Sequence, residues 1–344
     1  MKNAKVCIAA PSHAYQYYGG GEVLLDKTAG YLKKEGVDLK LFDLWHDKVE
    51  DFDLVHFFGI GYFNHEFLKT VKAKGKKLVI TPIFPCMGGI SGALRKAYHV
   101  LCFALPVVKT PPELMRRNAM LADLILAGSE IEKKQICSLL RISPDKVMVV
   151  HYGVDKSFLK AKAEIFINRY KIKDYILCVA RFDKKQKNQL GLIRALRASG
   201  IPMVFVGKPD KGMENYYELC KKEAPKGTLF IDYLEQDSDM LGSCYAACRT
   251  FVVPSKFEYP GIAAMEAILA GCKRIAMTEI GSTKEYYKDF ARYFNPYSLN
   301  SIGRVIRDTH GSEPSGNMAR EYFRKNYLWE NYAKKILKTY EAVV

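Results

Sequence analysis

No stretch of the sequence approaches the roughly 18 consecutive apolar residues that a membrane-spanning helix requires. The first apolar run, Val6 to Ala10, is too short for a secretory signal and has no small-residue cleavage site after it, so it reads as a β-strand. Paired cysteines are missing as well. The nine cysteines stand singly, with no C-x2-C pair, which excludes a zinc ribbon and a thioredoxin-like redox pair. Several of them, Cys7 and Cys178 among them, lie within apolar runs and read as small buried hydrophobes, the usage of a reducing, cytoplasmic compartment. Low-complexity tracts and short repeats are absent. Acidic residues are in short supply, 37 against 53 Lys and Arg, which leaves a net charge of +16. Such a field favours an anionic partner: nucleic acid, an anionic membrane surface or a phosphorylated substrate. No RRM, KH or zinc-finger pattern accompanies the charge, so nucleic acid is not the expected partner.

What is present is a soluble, globular balance, 49% hydrophobic and 26% charged, over 344 residues, enough for two domains. Short β-branched runs alternate with amphipathic helical patterns. The first series of strands reads Val6–Ala10, Leu39–Phe42, Leu54–Phe58, Lys77–Thr81, Leu124–Ala127 and Val147–Val150. The second reads Ile176–Ala180, Met203–Val206, Leu229–Ile231, Phe251–Val253 and Arg274–Ala276. Near-continuous apolar strands suit parallel sheets covered on both faces, and the alternation with helices predicts a doubly wound α/β fold. The strand count is about twice that of one Rossmann unit. A charged, irregular stretch between Gly153 and Asp174 is the expected hinge, giving domains 1–155 and 156–318, with a single terminal helix over 319–344. Ligands of such sheets bind beyond the carboxyl ends of the strands, here in a cleft between two facing units.

Three loops at such ends carry candidate chemistry. Gly19-Gly20-Gly21-Glu22 follows the first strand and opens a helix, where close backbone approach and a helix N-terminus suit a phosphate. It lacks the G-x-G-x-x-G spacing of a dinucleotide fingerprint, and a flexible turn is the alternative. Arg181-Phe182-Asp183-Lys184-Lys185-Gln186-Lys187-Asn188 follows the strand ending at Ala180. A guanidinium and an ammonium there can neutralise a departing diphosphate; the alternative is a solvated basic loop. Finally, Val253-Pro254-Ser255-Lys256-Phe257-Glu258-Tyr259-Pro260-Gly261 leads into a helix carrying Glu266, with Pro260 placed to start it. Glu266 is the one acid in an otherwise apolar helix and needs hydrogen-bonding partners, from a ligand or from the fold.

This ordered series resembles the family 4 retaining glycosyltransferases of GT-B fold. The matching pieces are the Gly-Gly-Gly-Glu loop, Ala122 to Ser129, Gly153-Val154-Asp155, the Arg181…Lys187 loop, Tyr245…Pro254-Ser255, the E-x7-E pair Glu258 and Glu266, and Trp329. The resemblance implies that Arg181 and Lys187 hold the donor diphosphate, that Glu266 accepts hydrogen bonds from the ribose, and that Glu258 contacts the donor sugar. Glu258, Arg181 and Lys187 are then the catalytic candidates. Tyr259, Pro260, Gly261 and Ile262 complete the donor site, and Gly20 and Gly21 close over the phosphates. It further implies an acceptor-binding domain over 1–155 and a donor-binding domain over 156–318, a UDP- or GDP-sugar donor, no metal or other cofactor, front-face departure of the diphosphate, and a terminal helix that returns to the first domain. A glycan or lipid-linked acceptor in surface polysaccharide synthesis is the first expectation. The chain departs from the family at three places. Gln186 stands where the family lysine falls, and Lys187 is favoured because Asn188-Gln189 continue the pattern. Ile83 takes the place of a histidine, with His56 and His13 poorly spaced to replace it; His151-Tyr152 replaces Pro-Asn.

Basic residues crowd the first half, from Lys69 to Lys77 and again at Arg95, Lys96, Lys109, Arg116 and Arg117. Between Ser91 and Leu105 a helical stripe of Leu94, Ala97, Tyr98, Leu101, Cys102 and Leu105 is flanked by base. It reads either as a helix lying on an anionic membrane or as a core-facing helix with a solvated edge. The rival functions are a basic nucleic-acid-binding protein, a nucleotide-sugar epimerase on the same scaffold, and a scaffold that has lost activity.

Overall fold

A computed structural model of the protein describes residues 4–16, 19–61, 64–84, 89–104, 110–236, 238–314 and 317–344. Cys86, Leu105 and Lys109 lie outside the described residues. The chain divides into two units, Met1–Gly153 with Trp329–Val344, and Val154–Leu328.

The first unit runs β1 (Lys5–Ala9), α1 (Gly20–Lys34), β2 (Asp38–Leu41), β3 (Leu54–Phe58), α2 (His65–Ala73), β4 (Lys77–Thr81), α3 (Gly89–Ala104), α4 (Pro111–Leu121), β5 (Leu124–Ala127), α5 (Glu130–Leu140) and β6 (Val147–Val149). Among the described residues its strands form one parallel sheet in the order β2-β1-β3-β4-β5-β6. Val55, Leu78, Ile80 and Ile125 are fully buried, as expected of strands covered on both faces. α5 starts at Ser129, whose hydroxyl accepts from Glu132 N. Glu132 is itself fully buried, and its two oxygens accept from Phe84 N and Gly128 N at 2.6 Å each, so one carboxylate pins the loop that leaves β4.

The second unit runs α6 (Glu164–Tyr170), β7 (Ile176–Val179), α7 (Gln189–Leu196), β8 (Met203–Val206), α8 (Glu214–Glu223), β9 (Leu229–Ile231), α9 (Asp239–Ala247), β10 (Thr250–Val253), α10 (Ile262–Ala270), β11 (Ile275–Thr278), α11 (Thr283–Tyr287), β12 (Arg292–Phe294), α12 (Leu299–Gly311) and α13 (Met318–Asn326). Its parallel sheet has the order β12-β11-β10-β7-β8-β9 among the described residues. Successive side chains feed opposite cores: Leu177, Phe251 and Met277 join the core that contains α10, while Cys178, Val252 and Ala276 join the one containing α7. β12 has no counterpart in the sequence reading, because Arg292-Tyr293-Phe294 is short, starts with an exposed charge and sits at the sheet edge.

The expected single terminal helix is two helices, α13 and then α14 (Trp329–Val343), separated at Tyr327-Leu328. α13 belongs to the second unit and α14 to the first. There α14 lies along α1, and the Tyr340 hydroxyl meets His56 Nδ1 at 2.6 Å while Thr81 Oγ1 meets Nε2 at 2.8 Å. His56 is fully enclosed, and burial pushes its imidazole down to about 3. A side chain on Gly153 would stand 2.7 Å from both the backbone and the ring of Trp329.

The α3 stripe is divided. Cys102 faces inward together with His99, whereas Leu94, Tyr98 and Leu101 are exposed, at 67%, 50% and 62%. Leu94, Tyr98 and Leu101 thus do not make a core-facing seam. Their spacing of four and three residues puts them on one face of the helix, and that face is turned to water.

Candidate active site

In the second unit the loops after β7 and β10 are tied to each other. Asn188 sits at a φ of 54° and donates through its side-chain amide to Pro254 O and Pro296 O, both at 3.1 Å. Gly191 leaves room for this, since a Cβ there would lie 2.5 Å from Asn188 Oδ1. Lys256 N donates to Gln186 O at 2.7 Å. The result is a fixed platform at the carboxyl ends of two parallel strands.

Lys187 and Glu258 meet on this platform, Nζ to Oε2, at 2.8 Å. Ser255 Oγ donates to the same oxygen at 2.7 Å, and Tyr259 N donates to Oε1 at 3.2 Å. Gln186, at the family's usual lysine position, turns toward Phe257 O instead. The Glu258 backbone is gripped as well: its N–H donates to Ile280 O and its carbonyl accepts from Ser282 N. Gly281, at a φ of 108°, allows this approach, because a Cβ would lie 2.0 Å from Glu258 O. Burial raises the Glu258 carboxyl, but the Lys187 charge and the bonds from Lys187, Ser255 and Tyr259 N–H outweigh it and hold the group below its ordinary value. Glu258 is therefore an ionised acceptor, not a proton donor.

A pocket of about 120 Å³ opens here, lined by Lys187, Ser255, Glu258, Gly261, Ile262 and Ala263 among others. Gly261 caps α10 at a φ of 85°, so Ile262 is the first helical residue. Pro260 does not start the helix as expected; it precedes the cap, because the left-handed turn at Gly261 comes between. Ile262 and Ala263, the first two residues of α10, line the pocket, at the helix end that carries partial positive charge. A larger cavity of about 780 Å³, on the flank of α7 and α8, contains neither Glu258 nor Glu266, and size alone does not make it the reactive site.

Glu266 is buried within α10 and accepts from the Tyr245 hydroxyl at 2.7 Å. The need of this acid for a partner is thus met in part by the fold itself. Arg181 is half exposed and lies 3.3 Å from Asp210 and 4.0 Å from Asp183, apart from the Lys187–Glu258 pair. Gly20 and Gly21 form the first turn of α1 in the other unit, where a Cβ on Gly20 would meet nothing and one on Gly21 would touch Ile83 at 3.4 Å. Sequence reasoning attached no role to Ser255, Tyr245, Asn188 or Gly281. Tyr245 and Ser255 were within the quoted motifs, but Gly281 is 23 residues from Glu258 and carries no local signal.

Residues 159–326, nearly the whole of the second unit, match the family model described as glycosyl transferases group 1. The second unit is a group 1 glycosyl transferase domain. Similar curated proteins include an uncharacterized glycosyltransferase of Methanocaldococcus jannaschii, 27% identical over 64% of this chain and 60% of its own length. A glycogen synthase of Thermodesulfovibrio yellowstonii is 22% identical over 92% of this chain and 60% of its own. The chain thus spans about 60% of the length of these relatives. Among solved structures, Anabaena HepE in complex with UDP superposes with a TM-score of 0.73, over 98% of this chain and all of that one, at 14% identity. That likeness concerns the fold: two Rossmann-like units of GT-B type, the group 1 transferase domain being the second.

Proposed function

We propose that this chain transfers a sugar from a nucleotide-diphosphate sugar to a hydroxyl acceptor, with retention of configuration and without a metal. The observation that carries this reading is the ion pair of part-exposed Lys187 with buried Glu258 beside the N-terminus of α10, in a pocket at the carboxyl ends of β7 and β10. An ammonium and free helix N–H groups suit the diphosphate, and Arg181, half exposed on the same loop, adds a second cation. Glu258, held ionised, accepts hydrogen bonds from sugar hydroxyls and favours positive charge at the anomeric carbon as the diphosphate leaves. The acceptor's proton then passes to a departing phosphate oxygen on the same face. Glu266, with Tyr245 on one oxygen, is assigned to the ribose. Tyr259, Pro260, Gly261 and Ile262 shape the floor, and Gly20 and Gly21 enter this proposal only through the family resemblance.

UDP is the first diphosphate to test, since HepE structures contain UDP and UDP-glucose. A glycan or lipid-linked acceptor in polysaccharide synthesis is supported by the cluster Lys69, Lys72, Lys74, Lys76 and Lys77 and by the exposed α3 face, which suits an anionic membrane surface. Among the described residues no helix is long and apolar enough to cross a membrane. The deciding experiment is a calorimetric screen of UDP, GDP and ADP and their sugars in the presence of EDTA. One diphosphate is expected to bind, and Glu266→Ala to weaken it about tenfold, the loss of a charge-assisted hydrogen bond. Failure of all three to bind, or binding only with added divalent cation, overturns the reading.

A further inference from the structure

The cavity of about 780 Å³ in the second unit lies between the first turns of α7, α8 and α12, and shares no lining residue with the pocket at Glu258. Part of its wall is apolar, built by Leu190, Met213, Tyr216, Leu219, Tyr297 and Leu299. Tyr297, Leu299 and Leu219 are open to water at 70%, 47% and 38%, and they form a cluster rather than scattered single residues.

The rest of the wall is positive. Lys184, Arg194 and Lys256 line the cavity, and no acidic side chain does so among the described residues. Arg194 is already matched by Glu223, in a two-pronged pair at 2.6 and 2.7 Å. Lys184 and Lys256 are not matched. Lys256 Nζ donates to the Lys184 carbonyl at 3.2 Å, which keeps the two residues together, and neither ammonium meets a carboxylate among the described residues. Two such ammoniums suit a dianion better than a single negative charge. Ligands rich in hydroxyls find little here. The Asn188 amide nitrogen is spent on Pro254 O and Pro296 O, and the Tyr216 hydroxyl accepts from Leu190 N. A flat ring against tyrosine and leucine fits these walls, whereas a sugar would leave hydroxyls unpaired.

We propose that this cavity binds an aromatic ring carrying a phosphate dianion, and that its occupant tightens diphosphate binding in the neighbouring donor pocket. The volume is ordinary for a small-ligand site. The effect on the donor pocket rests on the transferase reading; the binding does not. Asn188 and Pro296 both line the cavity, and the bond between them helps hold Asn188 at its positive φ, next to Lys187. Lys256 precedes Glu258 by two residues, and its N–H donates to Gln186 O. A ligand packed on these residues restrains both loops of the platform, and the coupling is reciprocal.

Calorimetry of the full chain with 1-naphthyl phosphate is the test, with inorganic phosphate, 1-naphthol and glucose 6-phosphate as partial ligands. The naphthyl ester is expected to bind about tenfold more tightly than any of the three, since each lacks one half of the match. Replacing both lysines, Lys184→Ala with Lys256→Ala, should weaken it about tenfold, and Tyr297→Ala about fivefold, with thermal midpoints unchanged. Leu101→Asp, on the exposed face of α3, is the control for binding to apolar surface elsewhere and should change nothing. Equal affinity for inorganic phosphate or glucose 6-phosphate, or undiminished binding to both cavity variants, overturns the site. Competitive displacement by UDP also overturns it, because the ligand would then sit in the donor pocket. With the naphthyl ester saturating, the Kd for UDP should fall about fivefold. An unchanged Kd sinks the effect on the donor pocket and leaves the site. If UDP fails to bind while the naphthyl ester binds, the transferase reading falls and the site stands.

Discussion

Glu258 keeps its charge in a buried setting because an ammonium, a hydroxyl and a backbone N–H all point at its two oxygens. Glu258→Gln retains the shape but removes the charge that would stabilise a developing cation, and turnover is expected to fall roughly 10²–10³-fold. Steady-state kinetics and diphosphate affinity separate this from a binding defect: kcat should drop while the Kd for the diphosphate changes little. His56 makes the opposite kind of contribution. It is neutral when folded, with its imidazole pushed down to about 3, and takes a proton near pH 6.5 when unfolded. Its stabilisation is complete above about pH 6.5 and is lost as pH falls toward 3, at about 1.4 kcal/mol per pH unit. Urea unfolding at a series of pH values should show this slope, and His56→Gln should flatten it. Lys187 could be chosen over Gln186 from sequence, because Asn188-Gln189 continue a family pattern. The anchoring of Glu258 by Gly281 could not, since strand–loop bridges between distant segments leave no spacing to read.

At the scale of elements, hydrophobic runs located nearly every strand, but α10 starts at Ile262 rather than at Pro260, because the left-handed turn at Gly261 intervenes. The terminal region differs because amphipathic periodicity continues across Tyr327-Leu328, where the helix stops. Phe323 and Ala319 face the core of the second unit, whereas Trp329, Tyr332, Ile336 and Tyr340 are buried in the first. Two apolar faces were read as one. Gly153 explains part of the arrangement, because the start of α14 lies against its bare α-carbon. Gly153→Ala should cost about 1–3 kcal/mol by overpacking against Trp329, measured by urea unfolding. An unchanged midpoint would mean that α14 is held elsewhere. α3 shows the reverse limit: its stripe was legible, but only the fold decided which side faces water.

For the molecule as a whole, a net charge of +16 combines with an exposed apolar face on α3. Binding to anionic vesicles is expected at low salt and should fall steeply by 1 M salt, where the screening length shrinks to about 3 Å; neutral vesicles should bind little. Leu101→Asp in the exposed face should weaken sedimentation with anionic vesicles severalfold, and no sedimentation at low salt would end the membrane proposal. Composition and hydrophobic period by themselves determined two doubly wound units and put Arg181, Lys187, Glu258 and Glu266 on the correct loops and helix. These are properties of neighbouring residues, and neighbours are what a sequence displays. Only the tertiary structure decided that Lys187 and Glu258 form a pair, that Tyr245 partly satisfies Glu266, and that Cys248 and Cys272 come within 3.5 Å. Each of those depends on parallel crossovers that bring segments 21 to 71 residues apart together. Such closeness is a product of packing, which no local pattern encodes.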